Sequence, residues 1–141
     1  TNTPDENSKR FIAVLNKKIE TGKLMNALGH MTAGLAGKTE TDFCFLDYKD
    51  ADDNLHPSIS HFPYIVLKAD NSNKIRKVRE EALKLKLPFT DFTSSMTVGS
   101  SADQLKVTAE TKEIDLEYYG ICLFAETEIL KSFTGKFSLF K

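Results

Sequence analysis

His30 is the residue of this chain best suited to proton transfer near neutral pH, because an unperturbed imidazole titrates close to that range. It follows Lys23 by seven residues, with Asn26 between them. At about 100° per residue a helix gathers these three on one side. They would offer an ammonium, an amide and an imidazole to a common ligand, a set suited to a small anionic or nucleotide-like molecule. Hydroxyls recur in Ser94–Ser101 (SSMTVGSS), where Ser94, Ser95 and Thr97 are candidates to line the same site. Loops also use such hydroxyls to bond their own backbone. His30 is the candidate catalytic residue, and Asp91 or Asp53 are the carboxylates that would orient it if the fold brought one near.

The other clusters argue against a metal. Asp50, Asp52 and Asn54 have the alternate spacing of the first calcium-loop ligands, but Leu55 stands where the turn needs glycine and His61 where a bidentate glutamate belongs. His56 and His61 lack the further ligands of a zinc site. Neither a metal nor a cofactor is therefore expected.

Phe11–Leu15 is an uninterrupted apolar run of strand length, which predicts a strand covered on both faces. A helix should follow with Thr21 as N-cap, burying Leu24, Leu28, Met31 and Leu35 and closing at Gly37 and Lys38. Its small residues Ala27, Gly29, Ala33 and Gly34 point to close packing against the sheet. Strands are expected over Asp42–Asp47, Tyr64–Ala69, Leu87–Thr93, Leu116–Phe124 and Lys136–Phe140, with Tyr48–His61 as a long polar loop. Gly120, inside an apolar run, suggests a bulge or the close approach of another backbone. A helix over Lys74–Lys86, opened by Asn71 or Ser72, should bury Ile75, Val78, Ala82 and Leu85, leaving its basic residues, Arg76 and Arg79 among them, outside. Ser101 and Gln104 have capping-box spacing for a helix ending near Glu110. A last helix buries Ile129, Leu130 and Phe133 and ends at Gly135 in a left-handed cap. This order predicts a three-layer α/β/α domain with one mixed sheet.

The chain has 141 residues, 40% hydrophobic and 28% charged, enough for a single core over residues 9–141 behind a polar, flexible leader at 1–8. Nineteen basic residues against 20 acidic give a net charge of -1, so no global field draws in nucleic acid or acidic lipid. Cys44 and Cys122 both lie in apolar runs, as buried free thiols of a cytoplasmic protein would. No apolar stretch is long enough to span a bilayer, so no membrane partner is expected.

The blocks FIAVLNKKIETGKLMNALGHM, DADDNLHPSI, YIVLKA, FTDFT, YYGICLF and FTGKFSLFK, taken in that order, resemble a small uncharacterised bacterial family. That family has the fold of type 2 peptidyl-tRNA hydrolases. The resemblance implies a homodimer and places Lys23 and His30 at the hydrolases' helix lysine and histidine. It also exposes departures. Ala27 stands where the hydrolases carry glutamine and Thr21 where they carry a second lysine. Ser94–Gly99 replaces an aspartate-glycine-arginine-threonine-glutamine loop, so the fold carries over better than the activity. A binding module is the expected function; a hydrolase acting on peptidyl-tRNA or a related ester, and a homodimeric interaction protein, are the alternatives.

Overall fold

The computed structural model of the chain describes residues 3–39 and 42–141. Its centre is β1 (Lys9–Asn16), whose alternating side chains divide the interior. Phe11, Ala13 and Leu15 pack with Leu24, Ala27, Met31 and Leu35 of α1 (Thr21–Lys38). Ile12 and Val14 pack with Ile75, Val78 and Ala82 of α2 (Ser72–Lys84), together with Leu130 of the later helix α4 (Thr127–Thr134). Both faces of β1 are thus buried, which explains its unbroken apolar run. Burying one Leu or Ile side chain in this way contributes about 1.5–3 kcal/mol.

Two strands flank β1. β4 (Tyr64–Ala69) runs parallel to it, and β6 (Tyr118–Glu126) runs antiparallel. β5 (Phe89–Thr93) adds to β6 at one edge and the short β7 (Ser138–Leu139) to β4 at the other. The sheet order is β5-β6-β1-β4-β7, mixed, with α1 on one face and α2 and α4 on the other. The three predicted central strands lie in this one sheet. Gly120 meets its expectation of close approach: a Cβ there would lie 2.7 Å from Leu15 Cδ2 and 3.1 Å from both Met31 Cε and the Val14 carbonyl.

The expected polar loop of Tyr48–His61 is instead half of a hairpin. β2 (Phe45–Lys49), later in the chain than expected, pairs with β3 (Leu55–Ser60) in a separate two-stranded sheet. Pro57 is tolerated because β3 lies at an edge. The acidic cluster builds the turn: Asp50 Oδ1 accepts the amides of Asp52 and Asn54, each at 2.9 Å, and Asp50 Oδ2 pairs with His56 Nε2 at 2.9 Å.

Several boundaries also move. Glu20, not Thr21, is the N-cap of α1, because the Lys23 and Leu24 amides both bond the Glu20 carbonyl. No atom outside the helix lies within 4 Å of a Cβ built on Gly29, so that glycine does not mediate close packing. Asn71 caps α2 by accepting the Lys74 amide. Leu85 lies just past the end of α2 and is exposed. α3 (Ser101–Ala109) is capped by Ser100 and Asp103, one residue earlier than the expected box. Gly135 has φ −62°, so it is not a left-handed cap. Ile129 is partly exposed, at 37%, whereas Leu130 is fully buried.

Arg76, expected on the outer face of α2, is only 7% exposed. Its Nε donates to Glu113 at 2.8 Å, and one terminal nitrogen reaches the carbonyls of Glu113, Ile114 and Leu116. The Tyr118 hydroxyl donates to the same carboxylate at 2.7 Å and, with Arg76 assisting, holds Glu113 below the usual carboxylate range. Residues of the expected leader are also tied to the body, since Thr127 bonds the carbonyls of Asn7 and Ser8.

Candidate functional site

α1 crosses the sheet near its β5 edge, so its solvent-facing stripe overlooks that edge. Beside it, β5 passes into a 3₁₀ turn (Ser94–Met96) and then α3, which stands opposite α1. Between them lies a cavity of about 620 Å³ lined by Asn26 and His30 from α1, Thr90, Asp91 and Phe92 from β5, and Thr97, Ser101 and Gln104 beyond. A second cavity of about 460 Å³ shares Asn26, Phe92 and Thr97 with the first and adds Lys23 and Tyr119. The two adjoin at the three shared residues and together are termed the groove.

Four of the six predicted ligand-binding residues, Lys23, Asn26, His30 and Thr97, line this groove. The other two do not. Ser95 is buried, and its hydroxyl bonds Thr93 and Thr108, both at 2.7 Å. Ser94 bonds the Glu117 carbonyl through its amide and accepts the Thr97 hydroxyl at its carbonyl. The hydroxyl-rich segment is thus used largely to anchor itself and α3.

His30 stacks on Phe92, with ring centroids 5.9 Å apart and planes at 26°, and Phe92 in turn contacts Tyr119 at 5.8 Å. These aromatics form the floor. In the sequence they are ordinary apolar strand residues, and nothing in their spacing marks them. Gln104 carried a signal, its polarity in a short helix, which the capping reading absorbed.

Neither carboxylate considered for orienting His30 does so. Asp91 accepts a bond from Arg79 Nε at 3.2 Å, and Asp53 pairs with Lys49 in the hairpin. Burial raises the Asp91 carboxyl above its ordinary range, with Arg79 opposing the shift. Among the described residues no side chain hydrogen-bonds the His30 ring, and no three His, Cys, Asp or Glu residues are grouped to hold a metal. The arrangement therefore offers polar hydrogen-bonding groups over an aromatic floor, with the Lys23 ammonium at the end. Lys23 is exposed and only loosely paired, 3.8 Å from Glu20.

A family model described as a protein of unknown function, DUF2000, matches residues 9–141. The chain belongs to this family. No curated protein matches this DUF2000 member. A solved structure of a protein of unknown function from Agrobacterium tumefaciens resembles it, with a TM-score of 0.81 over 95% of this chain and 98% of the other. At 18% identity the likeness is one of fold.

Elsewhere in the DUF2000 chain the Cys122 thiol is not poised for chemistry. Cys44 and Cys122 are free, and burial pushes the Cys122 thiol up to about 11, so it stays protonated at neutral pH. The Tyr64 hydroxyl lies between Thr32 Oγ1 at 2.6 Å and Cys122 Sγ at 3.2 Å, its pKa raised mainly by burial. No helix among the described residues is long and apolar enough to cross a membrane.

Proposed function

We propose that the groove between α1 and the β5–α3 segment is a binding site for a small anionic or nucleotide-like ligand. The observation that carries this reading is that the two cavities adjoin at Asn26, Phe92 and Thr97, which sets polar groups over an aromatic floor with Lys23 at one end. Such a combination of apolar surface and a few convergent polar groups is characteristic of ligand sites. The test is thermal unfolding with nucleoside monophosphates and small carboxylates. A ligand at a hundred times its Kd stabilises by about 2.7 kcal/mol, and the shift should vanish in Asn26→Ala and His30→Ala. Absence of any shift, or a shift unchanged in both variants, refutes the reading.

A second reading is a hydrolase with the type 2 peptidyl-tRNA hydrolase fold. The positions of Lys23 and His30 favour it. The engagement of Asp91 by Arg79 and the composition of Ser94–Gly99 weigh against efficient turnover, since orienting and charge-stabilising groups each contribute a hundredfold or more. Incubation with peptidyl-tRNA separates the two: rapid cleavage lost in His30→Ala establishes the hydrolase. A homodimer joined through the hairpin is favoured by its exposed Phe45, Tyr48, Leu55 and Ile59 and is checked by equilibrium sedimentation. The paired absence of disulfides at Cys44 and Cys122 fits a cytoplasmic setting.

A further inference from the structure

Consecutive side chains of a strand point to opposite faces of its sheet. Thr90 turns toward α1, where its hydroxyl donates to the Met31 carbonyl at 2.8 Å. Asp91 turns the other way, to Arg79 on α2. Phe92 returns to the α1 side against His30. All three nevertheless line the same cavity, so that cavity runs along the edge of β5 rather than over one of its faces.

Among the described residues β5 pairs with β6 alone, and no strand lies on its other side. The Phe89 carbonyl accepts a bond from Lys38 Nζ at 3.4 Å, which aims it away from β6. Antiparallel ladders alternate residues that point both backbone groups inward with residues that point both outward. Two residues on, the N–H and C=O of Asp91 therefore face the groove as well. An unpaired edge of this kind is a template for another extended chain.

We propose that the groove binds a short extended peptide, which adds to β5 as a further strand with its C-terminal carboxylate toward Lys23. This inference rests on the proposed groove site and names its ligand class: the peptide carboxylate is the anionic group. Three residues of edge at about 3.3 Å each give about 10 Å, which suits a tripeptide or tetrapeptide. Main-chain bonds to Asp91 supply attachment, and Asn26 and His30 on one wall and Thr97, Ser101 and Gln104 on the other meet the side chains. The chain direction of β5 leads past Phe92 into the second cavity, where Lys23 lies. A peptide running parallel to β5 thus presents its carboxylate there.

The experiment titrates ¹⁵N-labelled protein with a tetrapeptide library bearing free C-termini, then resynthesises the strongest binder with N-methyl groups at alternate amides. Methylation at one parity should weaken binding at least tenfold and at the other less than twofold, with the Asp91 amide shifted and protected from exchange. Amidating the C-terminus should weaken binding severalfold in the wild type and leave it unchanged in Lys23→Gln. Equal effects of the two parities, shifts confined to residues outside the groove, or no library binding overturns the peptide assignment. If nucleoside monophosphates or simple carboxylates still bind at His30 in that case, the groove remains a ligand site and only its peptide specificity falls. If they too fail, both readings fall.

Discussion

Replacing Gly120 and Gly29 by alanine should move stability in opposite directions, although the chemistry of the change is the same. The added methyl at Gly120 lies 2.7 Å from Leu15 Cδ2 and 3.1 Å from Met31 Cε and the Val14 carbonyl. Leu15 and Met31 end in flexible groups, but both are buried in one cluster, and the Val14 carbonyl belongs to the central strand. Overpacking of this kind costs about 1–3 kcal/mol. Reduced freedom of the unfolded chain offsets about 0.5–1 kcal/mol of that, leaving a net loss centred on about 1 kcal/mol. For a chain of this length each kcal/mol displaces Tm by about 2–4 °C, so Gly120→Ala should melt about 2–4 °C lower. A Cβ at Gly29 meets nothing within 4 Å, and the position is exposed inside α1. There alanine should gain about 0.5–1 kcal/mol through helix propensity. Urea unfolding of the two variants beside the wild type measures both signs. Shifts in the same direction, or an unchanged midpoint for Gly120→Ala, would refute the steric argument.

Arg76→Ala should destabilise by about 2 kcal/mol in urea unfolding, because it leaves the Glu113 carboxylate to the Tyr118 hydroxyl alone and takes a donor from the carbonyls of Glu113, Ile114 and Leu116. The depressed pKa of Glu113 gives a pH signature. The folded state favours its charged form, so the stabilisation is present above the ordinary value of 4.5 and is lost as pH falls through the lower folded value. Glu113→Gln should flatten that acid limb of a plot of stability against pH; an unaltered limb shows that other carboxylates set it. α3 should exchange its amide hydrogens by local opening well before α1 and α2, because none of its residues is buried, even though Thr108 ties it to Ser95. Thr108→Val should speed that exchange further while leaving α2 protection unchanged.

The central strands were legible because burial on both faces writes itself as an apolar run, and Gly120 was legible because a glycine inside such a run needs a reason. β3 was not: Leu55–Ser60 contains a proline and no sustained apolar alternation, and its pairing is set by a turn that Asp50 organises. Arg76 was misplaced for a different reason. Local periodicity put a charged side chain in solvent, but the acceptors that bury it come from a 3₁₀ turn (Glu113–Asp115) nearly forty positions later. That Lys23, Asn26 and His30 share one face of α1, the face that lines the groove, followed from period alone. The other half depended on which hydroxyls turn inward, and Ser95 does so because Thr93 and Thr108 both take its oxygen.

The groove and the core are coupled through the seating of α1. Gly120 lets Leu15 and Met31 occupy space that a side chain on β6 would fill, and Met31 follows His30 directly on the helix. The depth at which Met31 seats therefore fixes the height of His30 above Phe92. Thr90 reinforces it from β5 by bonding the Met31 carbonyl. On the far wall, capping by Ser100 and Asp103 sets the phase of α3, so that Ser101 and Gln104 line the cavity while Leu105 is left 74% exposed. A one-residue change in that phase would rotate the helix by about 100° and carry Gln104 off the wall. The shape of the proposed binding groove is thus sensitive to positions outside its lining, and Gly120→Ala, by lifting α1, should weaken any ligand binding measured there as well as stability.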